Sequence, residues 1–166
     1  MSLAAPEALV RAFEPWATVY GDSSVLPTLV VFGHLAALVF AGGLAVTLDR
    51  ATLRAARGSA DERSRHVGDL GGAHRSVLVG LALSAVTGVL LFAADVETYF
   101  VAPAFWTKMA LVTALLVNGY MMSRAEARTR APEGAAGAWS SLRRLAIGSL
   151  ILWFATTFVG VALVNI

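Results

Sequence analysis

The sequence predicts an all-α integral membrane protein: an antiparallel four-helix bundle of membrane spans, preceded by an N-terminal amphipathic interfacial helix. Three observations predict it. The stretch from Val25 to Leu48 contains no Asp, Glu, Lys or Arg, and at ~1.5 Å per residue a helix of that length crosses a ~30 Å hydrocarbon core. Of the 166 residues, 57% are apolar and 14% charged, against about 25% charged in a soluble domain, and the mean hydropathy is +0.70. The arginines, finally, collect in two stretches between apolar runs. The absence of cysteine excludes disulfides and thiolate metal sites. The net charge of +2 is too small to indicate nucleic acid.

The leader, residues 1–24, has no basic start followed by an apolar run, so it does not read as a secretory signal. Leu9, Phe13, Trp16 and Tyr20 share one face of a helix that Pro15 is expected to bend or end early. Trp and Tyr favour the headgroup level, so this helix is expected to lie on the membrane surface. Gly21-Asp22-Ser23-Ser24 forms a turn, and residues 25–166 make a single domain.

The first span covers 25–48 and ends at Asp49-Arg50; its helix can continue to Arg57, with Gly58 as C-terminal cap. The polar, glycine-rich stretch 58–73 is expected to be a loop, with a short helix beginning near Asp61. The second span covers 76–94. Residues 95–102 connect it to the third, which Pro103 can open and which runs over 104–123. Lys108, one turn inside, can snorkel to the interface beside Trp106. A second polar loop follows from Arg124, and Ser140 or Ser141 can cap a fourth span, 145–166.

One loop carries Arg50, Arg54, Arg57, Arg63, Arg65 and Arg75, and the other Arg124, Arg128, Arg130, Arg143 and Arg144; the opposite side has only Arg11 and Lys108. The positive-inside rule therefore places 49–75 and 124–144 in the cytoplasm and both termini outside. Lipid tails do not drive helices together, so small residues should mark the contacts. Stripes of this kind are Gly33-Ala37-Ala41-Ala45, Gly80-Ser84-Gly88, Ala110-Ala114-Asn118 and Gly148-Thr156-Gly160.

His34 shares the face of Ala37 and Ala41 and should point into the bundle. Counting ~1.5 Å per residue from the outer end brings His34, Thr87, Lys108, Met109, Thr113, Thr156 and Thr157 into one layer of the outer half. Imidazole can ligate haem iron or copper, so a b-type haem, a quinone or copper are candidate guests, with His34 and Met109 as cofactor-binding residues. A second histidine cannot serve: His74 lies ~20 Å from His34 along the bilayer normal, and His66 is in the loop. The plainer role for His34 is a structural hydrogen bond to Thr87, Thr156 or Thr157. No carboxylate lies within a span, and no metalloprotease spacing or phosphate loop occurs.

The Trp-bearing leader, the early His, the Asp-Arg end of the first span, the Thr-Gly-Val-Leu-Leu-Phe end of the second and the Phe-Trp-Thr-Lys opening of the third form a familiar layout. It resembles an uncharacterised bacterial family of four-helix integral membrane proteins, loosely similar to the copper-resistance protein D family. The resemblance runs from about Phe13 to the last span and rests on His34, Asp49, Arg50, Gly88, Phe92, Phe105, Lys108 and Asn118. It implies the architecture and an inner-membrane location. Copper handling would call for more intramembrane His and Met than this chain has.

The expected function is that of a non-enzymatic accessory or assembly subunit of a larger membrane complex, of redox character. Its partners are the lipid bilayer and another protein or a second copy, not nucleic acid. The alternatives are a haem-, quinone- or copper-binding protein using the layer around His34, and a small transporter or channel.

Overall fold

The computed structural model describes residues 4–129 and 135–163, with side chains described for these except 67–74, 135 and 136. Among the described residues the protein is all-helical: α1 (Glu7–Asp22), α2 (Leu26–Ala55), α3 (Ala60–Ala94), α4 (Val96–Val101), α5 (Pro103–Thr129) and α6 (Ala135–Ala162). Three segments are long and apolar enough to cross a membrane: Leu26–Ala55, Arg75–Ala94 and Gly137–Ala162. The third expected span, within α5, is not among them, because Lys108, Asn118 and Arg124 dilute its apolar run.

Local chemistry explains the helix ends. Pro15 does not end α1, which continues to Asp22. The Ser23 hydroxyl accepts from the amides of Val25 and Leu26 at 3.3 and 3.1 Å, and Pro27 lies in the first turn of α2, where a missing N–H costs nothing. The loop expected over 58–73 is instead helical from Ala60 onward. Ser59 and Glu62 form a reciprocal capping box, at 3.3 and 2.7 Å, and this satisfies the amides that a helix start would orphan. Propagation then joins this polar segment to the apolar one behind it. The 95–102 connection contains α4, whose start Asp95 caps by accepting from the Thr98 amide at 3.2 Å. Pro103 opens α5 as expected. The fourth long helix starts before Ser140, which lies inside α6 and bonds back to the Gly137 carbonyl at 2.9 Å. The last three residues of the expected span lie outside the described residues.

Side-chain contacts fix the registers. His34 faces Ser84 and Thr87 while Thr52 faces His66, so α2 and α3 run in opposite directions. Asn118 faces Leu145 and Gly148 while Lys108 faces Gly160, so α5 and α6 do the same. Trp153 covers Gly42, which joins the two pairs. The buried stripe of α2 is Val30, His34, Ala37, Ala41, Ala45, Asp49, Thr52 and Ala55, which follows the predicted small-residue face and extends it. On α5 the expected stripe holds only at Asn118, which faces α6: Ala110 and Ala114 are exposed, and Leu115, Met122, Ala125 and Glu126 are buried.

The outward faces are apolar. Phe32, Val39, Phe154 and Phe158 are 67, 74, 69 and 75% exposed. Large exposed apolar residues continue through Leu78–Val89 on α3 and through Leu116, Val117 and Met121 on α5. Where these faces stop stand the exposed Arg50, Arg75, Arg124 and Arg144. Beyond them lies a second core of Ala55, Met122, Ala125, Trp139, Leu142 and Ala146.

A Cβ on Gly80 would come within 2.8 Å of the Ala41 Cβ, whereas a Cβ on Gly119 meets nothing within 4 Å. Gly80→Ala should therefore lower unfolding stability by roughly 1–3 kcal/mol in a detergent–SDS titration, and Gly119→Ala should not. Equal midpoints for both variants would refute the close α2–α3 contact.

Candidate functional site

The polar layer expected from the sequence is built around His34, which is 9% exposed. Its ring is seated in the gap left by Gly88, where a Cβ would lie 3.3 Å from Cε1. Nδ1 lies 3.0 Å from the Ser84 carbonyl oxygen and 3.0 Å from the Thr87 hydroxyl. A carbonyl only accepts, so Nδ1 must carry the hydrogen. Thr87 agrees with this: its hydroxyl donates to the Leu83 carbonyl at 2.8 Å and leaves a lone pair for Nδ1–H. The neutral ring is thus fixed in one tautomer, and Nε2 is a bare acceptor. Among the described residues the buried Nε2 has no hydrogen-bond partner, and neither has the Thr156 hydroxyl, whose residue is 4% exposed.

Lys108 completes the layer. Its chain turns toward α6, where the missing side chain of Gly160 leaves room for it; a Cβ there would be 3.4 Å from Nζ. Among the described residues no carboxylate pairs with it.

The other expected members of the layer are placed differently. Thr113 and Thr157 are exposed, and each bonds to its own helix, to the carbonyls of Met109 and Trp153 at 2.9 and 2.8 Å. Met109 is half-buried. His34 and Thr87 are therefore in contact, Thr156 is buried and Lys108 packs over Gly160, whereas Thr113 and Thr157 are exposed. Depth alone put them in one layer, but depth does not say which way a side chain faces.

The His34 ring packs against Gly88 through Cε1 and Nδ1, and two turns along, Ala41 packs against Gly80. Among the described residues no group of three or more His, Asp or Glu could hold a metal ion.

A second polar cluster closes the opposite end. Thr52 Oγ1 and His66 Nε2 are 2.9 Å apart. Arg63 donates to the Ala56 carbonyl at 2.9 Å, and its guanidinium sits 5.7 Å from the centre of the Trp139 ring, a cation–π contact. Asp49 and Glu126 are buried there, 2 and 7% exposed. His66 is thus not a solvated loop residue; the side chain of His74 lies outside the described residues. Asp49 was legible in principle, since it follows His34, Ala37, Ala41 and Ala45 at helical steps. Between the two polar layers Ala41, Ala45, Leu115 and Trp153 form an apolar plug.

Comparison with protein-family models, curated proteins and solved structures finds no match for this chain.

In the 15N NMR spectrum of histidine-labelled protein at neutral pH, His34 should show a protonated Nδ1 and a bare Nε2. The opposite pattern would overturn the tautomer assignment.

Proposed function

We propose that this chain is a non-enzymatic, four-span inner-membrane protein, an accessory subunit of a larger membrane complex, that holds a small guest at His34. The observation carrying the reading is the buried Nε2 lone pair with nothing to accept from. An unsatisfied buried acceptor costs about 1–3 kcal/mol, and an ionisable group inside a bundle is retained for a purpose. A guest that donates to Nε2 removes that cost.

Four spans are supported by α5 itself. Its outward Leu116, Val117 and Met121 are about half exposed, Lys108 and Asn118 face α6, and so its polar residues are turned away from lipid. The arginines at the ends of the apolar faces support a cytoplasmic side for the polar half of α3, the end of α5 and the start of α6. The opposite rim holds Trp16, Tyr20, Tyr99, Phe100 and Trp106, where Trp16 donates to the Leu90 carbonyl at 2.8 Å and so ties α1 to α3. Aromatic residues of this kind favour the interface. An open channel is the weaker reading, because the Trp153 plug separates the polar layers.

The chain has no native cysteine, so single cysteines report topology cleanly. In intact spheroplasts an impermeant thiol reagent should label Glu97→Cys and spare Arg128→Cys until the membrane is permeabilised. Equal labelling of both would mean that α5 does not cross.

Native mass spectrometry of protein released from mild detergent should find a bound small molecule that His34→Ala loses. Retention at full occupancy would remove His34 from the site. A spectrum taken with and without dithionite should lack a Soret band; its presence would make the guest haem.

A further inference from the structure

Exposed arginines continue the apolar stripes that face outward on all four long helices. On α2, Arg50 follows the exposed Val39 and Gly43 by eleven and seven residues. On α3, Arg75 precedes Leu78 and Val79 by three and four. On α5, Arg124 follows Val117 and Met121 by seven and three, and on α6, Arg144 precedes Ile147 and Ile151 by three and seven. Residues at these intervals share one face of a helix. All four arginines lie towards the same end of the bundle, the end at which His66 meets Thr52 and Trp139.

Among the described residues nothing answers these charges. The side-chain ion pair there is Arg11 with Glu7 at 2.7 Å, on α1 at the opposite end, and none of the four arginines has a carboxylate partner. Arg124 stands 5.3 Å from the centre of the exposed Tyr120 ring, a contact that leaves its charge uncancelled. What covers this end must bring an anion to each arginine and hydrocarbon to the stripe beside it. It must also do so around the whole perimeter, on four helices. An acidic protein would supply charge on one flank, whereas an amphiphile with a negative head can surround the bundle.

We propose, resting on the membrane-spanning reading above, that this end of the bundle binds anionic phospholipids. A phosphate sits on each exposed arginine, and the acyl chains lie along the stripe that the arginine continues. A guanidinium donates two parallel N–H bonds to phosphate oxygens. A head of net negative charge gains an attraction that a zwitterionic head cancels with its own cation. The arginines therefore set the choice of lipid, and the apolar faces accept any acyl chain.

The probes are phosphatidylglycerol and phosphatidylcholine, each carrying a nitroxide on an acyl chain, with the full chain in phosphatidylcholine liposomes. EPR reads the fraction of each lipid that is motionally restricted at the protein surface, and both should show one. Phosphatidylglycerol should associate about fivefold more strongly at the arginine end, which averages to about threefold over both leaflets. Sodium chloride at about 1 M should bring that ratio close to one. So should the joint substitution Arg50→Gln, Arg75→Gln, Arg124→Gln and Arg144→Gln, whereas Arg11→Gln should leave the ratio unchanged. If the quadruple variant does not fold, the salt series on the wild-type protein still decides. Equal association of the two lipids would overturn the proposal and leave the arginines to an acidic protein partner. A preference that survives high salt or the quadruple substitution would also overturn it. If neither lipid is restricted, the chain does not span the bilayer, and the spanning reading fails together with this one.

Discussion

Hydrocarbon offers nothing to hydrogen-bond with, and this constraint arranges the whole chain. A polar side chain on a membrane helix must find its partner inside the protein. Here the inside is made by glycine. Gly88 admits the His34 ring, Gly148 the Asn118 amide and Gly160 the Lys108 chain, while Gly42 admits the Trp153 indole. Each seat lies on one helix and its occupant on a neighbour, so the same contact that buries a costly group also fixes helix register. Exposed valine, leucine and phenylalanine then cover the outside. The order is the reverse of a soluble bundle, where apolar burial drives association and polar groups face out.

The same logic divides the interior into three storeys. One storey holds His34, Thr87, Lys108 and Thr156, where among the described residues the buried His34 Nε2 has no hydrogen-bond partner. The middle storey, Ala41, Ala45, Leu115 and Trp153, is dry and closely packed. The third collects Thr52, His66, Arg63 and the buried carboxylates of Asp49 and Glu126 around Trp139. Long helices that outlast their apolar faces carry this last storey, and exposed arginines stand where those faces stop.

Much of this was legible in the sequence. Uncharged runs located α2, the end of α3 and the end of α6, and the His34-Ala37-Ala41-Ala45 spacing set the inward face of α2. Pro103 opened α5. The helical character of 60–75 was hidden because glycine and charge lower propensity there, while a two-residue device, Ser59 with Glu62, starts the helix. The stripe on α5 misled at Ala110 and Ala114 because small residues mark close contact only where the partner is large, and α6 supplies its own glycines. Thr113 and Thr157 were grouped by depth, yet their direction around the helix depends on packing, and each finds its partner on its own backbone. The tautomer of His34 needed the Ser84 carbonyl in space, fifty residues away in the chain.

The most direct test is of the outward face of α5, the helix whose hydropathy alone does not place it in the membrane. A nitroxide at Val117→Cys in liposomes, examined by power-saturation EPR, should be accessible to oxygen and shielded from a water-soluble nickel chelate. That result would confirm that α5 presents its apolar side to lipid and turns Lys108 and Asn118 inward. Accessibility to the chelate instead would put Val117 in water, and the layer around His34 would lose its fourth wall.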